Sequence, residues 1–194
     1  MKTTMNIGII GAGVVAERII NASQNHSRSN INGIYDTDAE RLKEITEKYN
    51  LKGTNSYEEL LEDQDIDIIY LAVPPKYHYP IALDIFKSGK HFICEKPLAN
   101  STEEAKAMYK LSKEQNIVCA MNFPTMYSKA FEKIETLVKD NFLEDIVRVE
   151  FQGYFSQWPR HWQQNNWIAT KEQGGFVREV VTHYIQIIQR YLEI

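Results

Sequence analysis

Short apolar runs recur through the first two thirds of the chain, most of them followed by a stretch of about ten to fifteen residues with helical periodicity. Asn6 to Ile10 leads into Gly11-Ala12-Gly13 and a helical pattern from Val14 to Ser23. Ile31 to Tyr35 ends at Asp36 and precedes a charged amphipathic stretch, Ala39 to Tyr49. A short extended piece and a helix over Tyr57–Glu62 lead to the nearly unbroken apolar run Asp67–Val73. Pro74-Pro75 and a helix through about Ser88 come before His91–Cys94, and a helix over Thr102–Gln115 comes before Ile117–Met121. Strands alternating with helices of this length predict βαβ units and a parallel sheet. Their apolarity on both faces predicts helices on either side. Right-handed crossovers then give an α/β fold, a doubly wound parallel sheet of the Rossmann type.

The pattern changes near Asn122, which predicts two domains, 1–121 and 122–194. In the second, the spacing predicts a helix over Ser128–Asp140 and a strand over Ile146–Phe155, where apolar and polar residues alternate. A polar loop carrying Trp158, Trp162 and Trp167 follows, and a helix over Phe176–Leu192 closes the chain. The three tryptophans, with Arg160 and His161, have the chemistry to stack on sugar rings or simply to pack the loop.

Composition excludes several partners. The formal net charge is -4 and Lys and Arg are scattered, so neither nucleic acid nor an anionic membrane is an expected ligand. No stretch approaches the roughly 18 apolar residues of a membrane span. Cys94 and Cys119 each lie in an apolar run and read as small buried hydrophobes in a reducing compartment, which points to the cytoplasm. No metal site is expected.

Gly11-Ala12-Gly13-Val14-Val15-Ala16 matches G-x-G-x-x-A after a strand and at the start of a helix. In that setting Gly11 permits the tight turn, Gly13 lets a pyrophosphate approach the backbone, and Ala16 keeps helix and strand close. The amides of Gly11, Gly13, Val14, Val15 and Ala16 then form a phosphate site at a helix N-terminus. Asp36 ends the second strand, where a carboxylate accepts hydrogen bonds from ribose hydroxyls and opposes a 2′-phosphate. NAD is therefore the expected cofactor, ahead of NADP. A plain N-cap for the next helix is the competing reading of Asp36.

Two further segments carry a resemblance. Ala72-Val73-Pro74-Pro75-Lys76-Tyr77-His78, then Gly89-Lys90-His91-Phe92-Ile93-Cys94-Glu95-Lys96-Pro97, resembles the glucose–fructose oxidoreductase and inositol dehydrogenase (Gfo/Idh/MocA) family in its A-x-P-x-x-x-H and G-K-H-V-x-x-E-K-P patterns. The resemblance implies a nicotinamide-dependent oxidoreductase of sugars, polyols and related hydroxylated small molecules. It also implies a second α/β domain with an open, mostly antiparallel sheet that carries substrate. Val73, Pro74, His78, Glu95 and Lys96 are then expected at the cofactor, Lys96 as the active-site lysine and Pro97 after a cis bond. Gly174-Gly175-Phe176-Val177-Arg178-Glu179-Val180-Val181-Thr182-His183 is similar to the family's G-G-x-x-x-D-x-G-x-H, which makes His183 the acid/base and Glu179 its neighbour, with Glu in place of Asp. Periodicity alone reads Glu179, His183, Gln186 and Arg190 as a solvated stripe on an amphipathic helix. The family normally continues for well over a hundred further residues, so a truncated or split chain, or a homo-oligomer (dimer or tetramer), is expected. The alternative function is a non-catalytic dinucleotide-binding or regulatory protein.

Overall fold

The computed structural model describes residues 3–163 and 165–192. The chain divides into two compact units, Met1–Met121 and Asn122–Ile194.

The first unit holds strands β1 (Met5–Ile10), β2 (Ser29–Tyr35), β3 (Ile68–Leu71), β4 (His91–Glu95) and β5 (Cys119–Asn122). Between them run helices α1 (Val14–Gln24), α2 (Ala39–Tyr49), α3 (Tyr57–Glu62), α4 (His78–Ser88) and α5 (Thr102–Glu114). The sheet order is β2-β1-β3-β4-β5, and the β1–β2, β1–β3 and β3–β4 pairs are parallel. Chain direction across the sheet reverses between β1 and β3, the switch point at which doubly wound sheets bind ligands.

Alternation along the central strands sends side chains to two separate cores. Ile7 and Ile9 of β1 and Tyr70 of β3 pack with Ala16, Ile20 and Ile45 from α1 and α2. Ile10, Ile69, Leu71, Phe92 and Cys94 pack on the other face with Leu60, Ala82, Ile85, Phe86 and Met108 from α3, α4 and α5. Burying each of these branched or aromatic side chains contributes roughly 1.5–3 kcal/mol, and this burial is what makes strands apolar on both sides favourable. Helix ends follow from local chemistry: Asp38 caps α2 by accepting from the Arg41 amide, and Ser101 with Glu104 forms a capping box on α5. Lys90 of the G-K-H segment is buried. Its ammonium donates to the Asp63 and Ile66 carbonyls at 2.6 and 2.8 Å, tying the loop before β3 to the start of β4.

Cys94 is buried as expected, whereas Cys119 is exposed because β5 is the edge strand with little packed over it. Both are free thiols.

The second unit contains α6 (Lys129–Lys139) and α7 (Thr182–Leu192), with one wide π-type turn, Val177–Val181, leading into α7. The expected strand over 146–155 is not formed, and no antiparallel sheet is present among the described residues. Its alternation is real, but a strand needs a neighbouring ladder for its N–H and C=O groups, and among the described residues none pairs with it. Val147 and Tyr154 stay almost fully exposed, while Phe151 stacks on Tyr184. Arg160 lies over the rings of both Trp158 and Trp162, and Phe155 and Trp158 meet Phe176 edge-on. One face of each of these two tryptophans is thus taken by a guanidinium of the same loop. No helix among the described residues is long and apolar enough to cross a membrane.

Candidate functional site

Strand register builds the site. Tyr35 of β2 pairs with Ile10 of β1, Ile10 with Leu71 of β3, and Leu71 with Cys94 of β4. The next residues, Asp36, Gly11, Ala72 and Glu95, therefore stand at one level; the first three lie just past their strands and Glu95 is the last residue of β4. Neighbouring strands lie about 4.8 Å apart, so this row spans three spacings, about 14 Å, along the carboxyl edge. All the first-unit residues singled out in the sequence lie along it or on the helices that follow.

Gly11 is required where it stands. Its φ is +102°, and a Cβ there would lie 2.5 Å from the Ala72 carbonyl oxygen. The turn after β1 thus touches the end of β3 across the switch point. Gly13 differs: its φ is -70°, and a Cβ would meet nothing within 4 Å. Neither strain nor internal packing demands glycine at this exposed position, so its bare backbone faces open space. Gly13 is the N-cap of α1 and no side chain caps that helix, which leaves first-turn amides of Val14, Val15 and Ala16 for an outside acceptor. Ala16 itself is fully buried against the sheet.

Asp36 holds this turn. Its Oδ2 accepts from the Ala12 amide at 2.6 Å and its Oδ1 from the Asp38 amide at 2.9 Å. Asp38, not Asp36, caps α2, so the capping explanation of Asp36 is not the one observed. From the other side, Arg41 Nε donates to the Ala12 carbonyl at 2.9 Å. Its remaining guanidinium nitrogens donate to Glu17 and Glu44. Glu17 also accepts from Lys48 Nζ and the Tyr49 hydroxyl, and these hold its carboxyl down at about 2. Glu17 and Arg41 are site-supporting residues that the sequence did not reveal.

The far end of the row is joined by His78. The sequence placed this residue at the cofactor; the structure shows it buried. The imidazole is fully buried, with Nε2 2.8 Å from the Val73 carbonyl and Nδ1 2.9 Å from the Pro97 carbonyl. It fastens the Val73-Pro74 turn to the Glu95-Lys96-Pro97 turn. The Lys96–Pro97 bond is cis, and Lys96 and Glu95 are half-buried at the end of β4. Tyr70, buried in β3, donates its hydroxyl to Glu95; Tyr70 pairs with Ile93, so the two side chains share a sheet face.

Burial lowers the pKa of His78, more than the carbonyls of Val73, Pro97 and Leu98 raise it. A histidine depressed in the folded state contributes fully above its unfolded value, about 6.5, and that contribution is lost as pH falls below it. Stability of the first unit should therefore decline between pH 7.5 and 5, as read by urea midpoints. His78→Asn should be less stable at neutral pH and show a shallower decline; an unchanged slope would remove His78 as its source.

In the second unit, Glu179 is only 4% exposed, which contradicts a fully solvated stripe; Arg190 at its other end is exposed and 3.5 Å from Glu135. His183 packs edge-on against Phe123, with ring centroids 5.6 Å apart. Glu179 lies within the wide turn, so its four-residue step to His183 is not the step of a regular α-helix. Such turns are frequent at functional sites. Among the described residues no group of three or more His, Cys, Asp or Glu side chains is placed to hold a metal.

The fold and this row of residues define a dinucleotide-binding α/β domain. Residues 5–123 match the model of the oxidoreductase family with an NAD-binding Rossmann fold, Gfo/Idh/MocA, and the chain belongs to that family. It is 32% identical over 147 residues to levoglucosan dehydrogenase of Pseudarthrobacter phenanthrenivorans, covering 72% of this chain and 36% of that protein. It is 31% identical over 182 residues to 4-carboxy-2-hydroxymuconate-6-semialdehyde dehydrogenase of Sphingobium, covering 93% of this chain and 55% of that one. An NAD-binding protein from Listeria innocua has the same fold, with a TM-score of 0.81 and 20% identity over 97% of this chain and 55% of its own. The chain thus spans about a third to just over half the length of these relatives.

Proposed function

We propose that this chain supplies the NAD site and the beginning of the substrate domain of an oxidoreductase acting on a sugar, polyol or related hydroxylated small molecule. The observation that carries this reading is Gly13, a glycine that neither backbone strain nor packing requires, at a start of α1 that no side chain caps and beside a turn held by Asp36. The amides there suit a pyrophosphate and the Asp36 carboxylate suits an unphosphorylated ribose. Bound NAD supplies the acceptor for a hydride from a carbinol carbon. Lys96, at the carboxyl end of β4, is the group we assign to the substrate hydroxyl, where its ammonium stabilises the oxygen as negative charge develops. His183 takes the hydroxyl proton, a task that suits an imidazole, and Glu179 orients it. Relatives named for levoglucosan and for trans-1,2-dihydrobenzene-1,2-diol support a hydroxylated substrate.

Residues 122–194 we read as the substrate and oligomerisation part. The extended segment 146–155 would gain its ladder from another strand, in a dimer or tetramer or in further chain. A cytoplasmic setting fits both free thiols. The test is a panel of sugars, polyols and their oxidation products followed by NADH absorbance. Turnover supports the enzyme. NAD binding without turnover of any compound would favour a non-catalytic dinucleotide-binding protein.

A further inference from the structure

The polar cluster behind the glycine turn does more than fasten helices. Ala12 is held at both of its polar groups, the amide by Asp36 and the carbonyl by Arg41. The guanidinium therefore lies one residue's width from the carboxylate assigned to the adenosine ribose. Its side chain is 25% exposed, so solvent and ligand can reach it. A free arginine at this place would be a ready partner for a 2′-phosphate, since its planar fork matches phosphate oxygens. Here the fork is already used: Nη2 donates to Glu17 at 2.9 Å and Nη1 to Glu44 at 2.7 Å. Glu17 is fixed in turn by Lys48 and Tyr49 of α2, at 2.5 and 2.8 Å. Four carboxylates (Asp36, Asp38, Glu17, Glu44) thus face two cations (Arg41, Lys48), leaving the corner with a net charge of -2.

We propose that Glu17 is a specificity-determining positioning residue: by engaging Arg41 and Lys48 it keeps both from a 2′-phosphate and so makes the site select NAD over NADP. Asp36 repels that phosphate directly; Glu17 acts through Arg41, which it leaves as a clamp on the phosphate turn. The inference rests on the reading of this edge as a dinucleotide site.

Titration calorimetry of the whole chain with NAD and with NADP tests it. Glu17→Gln keeps the size of the side chain and removes its charge. The ratio of Kd for NADP to Kd for NAD should fall about tenfold, with Kd for NAD changing less than about threefold. Adding Arg41→Gln to this variant should restore most of the original ratio. Glu44 is 59% exposed and lies outside the Lys48–Tyr49 hub, so Glu44→Gln carries the test if Glu17→Gln fails to fold; its expected change is about threefold in the same direction. A ratio unchanged in the folded variants, while NAD still binds, would overturn the assignment to Glu17. Failure of the unaltered chain to bind either nucleotide would instead overturn the dinucleotide reading on which it rests.

Discussion

Lys96→Ala is expected to lower turnover by about 10²- to 10³-fold while changing NAD affinity by no more than a few-fold. The size follows from removing one preorganised positive group from a developing alkoxide. The split between kcat and cofactor binding follows from position. Asp36 and the glycine turn, to which we assign the adenosine and pyrophosphate end, lie at the ends of β2 and β1, whereas Lys96 lies at the end of β4, three strands from Asp36 in the sheet order. The measurement is NADH absorbance on the best compound of the panel, with calorimetry alongside. Loss of NAD binding equal to the loss of turnover would show that Lys96 serves the cofactor alone. Unchanged turnover would remove it from the chemistry.

The second large effect concerns two glycines that look alike in sequence and differ in structure. Gly11→Ala should destabilise the first unit by about 3 kcal/mol or more, combining a left-handed backbone with a backbone overlap that cannot relax. The overlap is a Cβ 2.5 Å from the Ala72 oxygen and 2.8 Å from its carbon. Against a typical domain stability of about 5–15 kcal/mol, that is a substantial fraction. Gly13→Ala should lower stability far less than Gly11→Ala, by about 1 kcal/mol: its Cβ enters open space, and only the preference for glycine over alanine at an N-cap is lost. It should nonetheless weaken NAD at least tenfold, because the methyl group stands where we place the pyrophosphate. Wild-type NAD affinity in Gly13→Ala would contradict the placement of the phosphates.

These contrasts show which parts of the molecule were legible in the sequence. The alternation of buried runs and amphipathic stretches predicted all five strands of the sheet and the helices between them, their ends shifted by a few residues at most. That succeeded because a doubly covered parallel strand leaves an unambiguous apolar signature, as in Ile68–Leu71. Residues 146–155 carried the complementary signature of a half-wet strand, yet pairing is a property of two strands, and periodicity within one cannot supply the other. Cys119 looked like Cys94 because both lie in apolar runs; only the strand order shows that one is on an interior strand and the other at the edge.

Site residues divide along the same line. The left-handed turn at Gly11 was visible because its backbone conformation restricts its identity locally, and Gly13 and Asp36 were marked as candidates because they belong to a short local pattern. Tyr70, Glu17 and Arg41 were hidden because their partners are 25, 24 and 29 residues away, at Glu95, Arg41 and Ala12. His78 was visible as a motif residue but its place was not. A histidine five residues after Val73 could face ligand or core, and the Pro97 carbonyl that decides the matter arrives from the next strand.

The most direct test of the account is calorimetric titration of the folded chain with NAD. The account predicts saturable heat at one site per chain, abolished by Gly11→Val and much reduced by Asp36→Ala, whose carboxylate anchors the turn through the Ala12 amide. Absence of heat with both NAD and NADP, from material shown to be folded by circular dichroism, would contradict it.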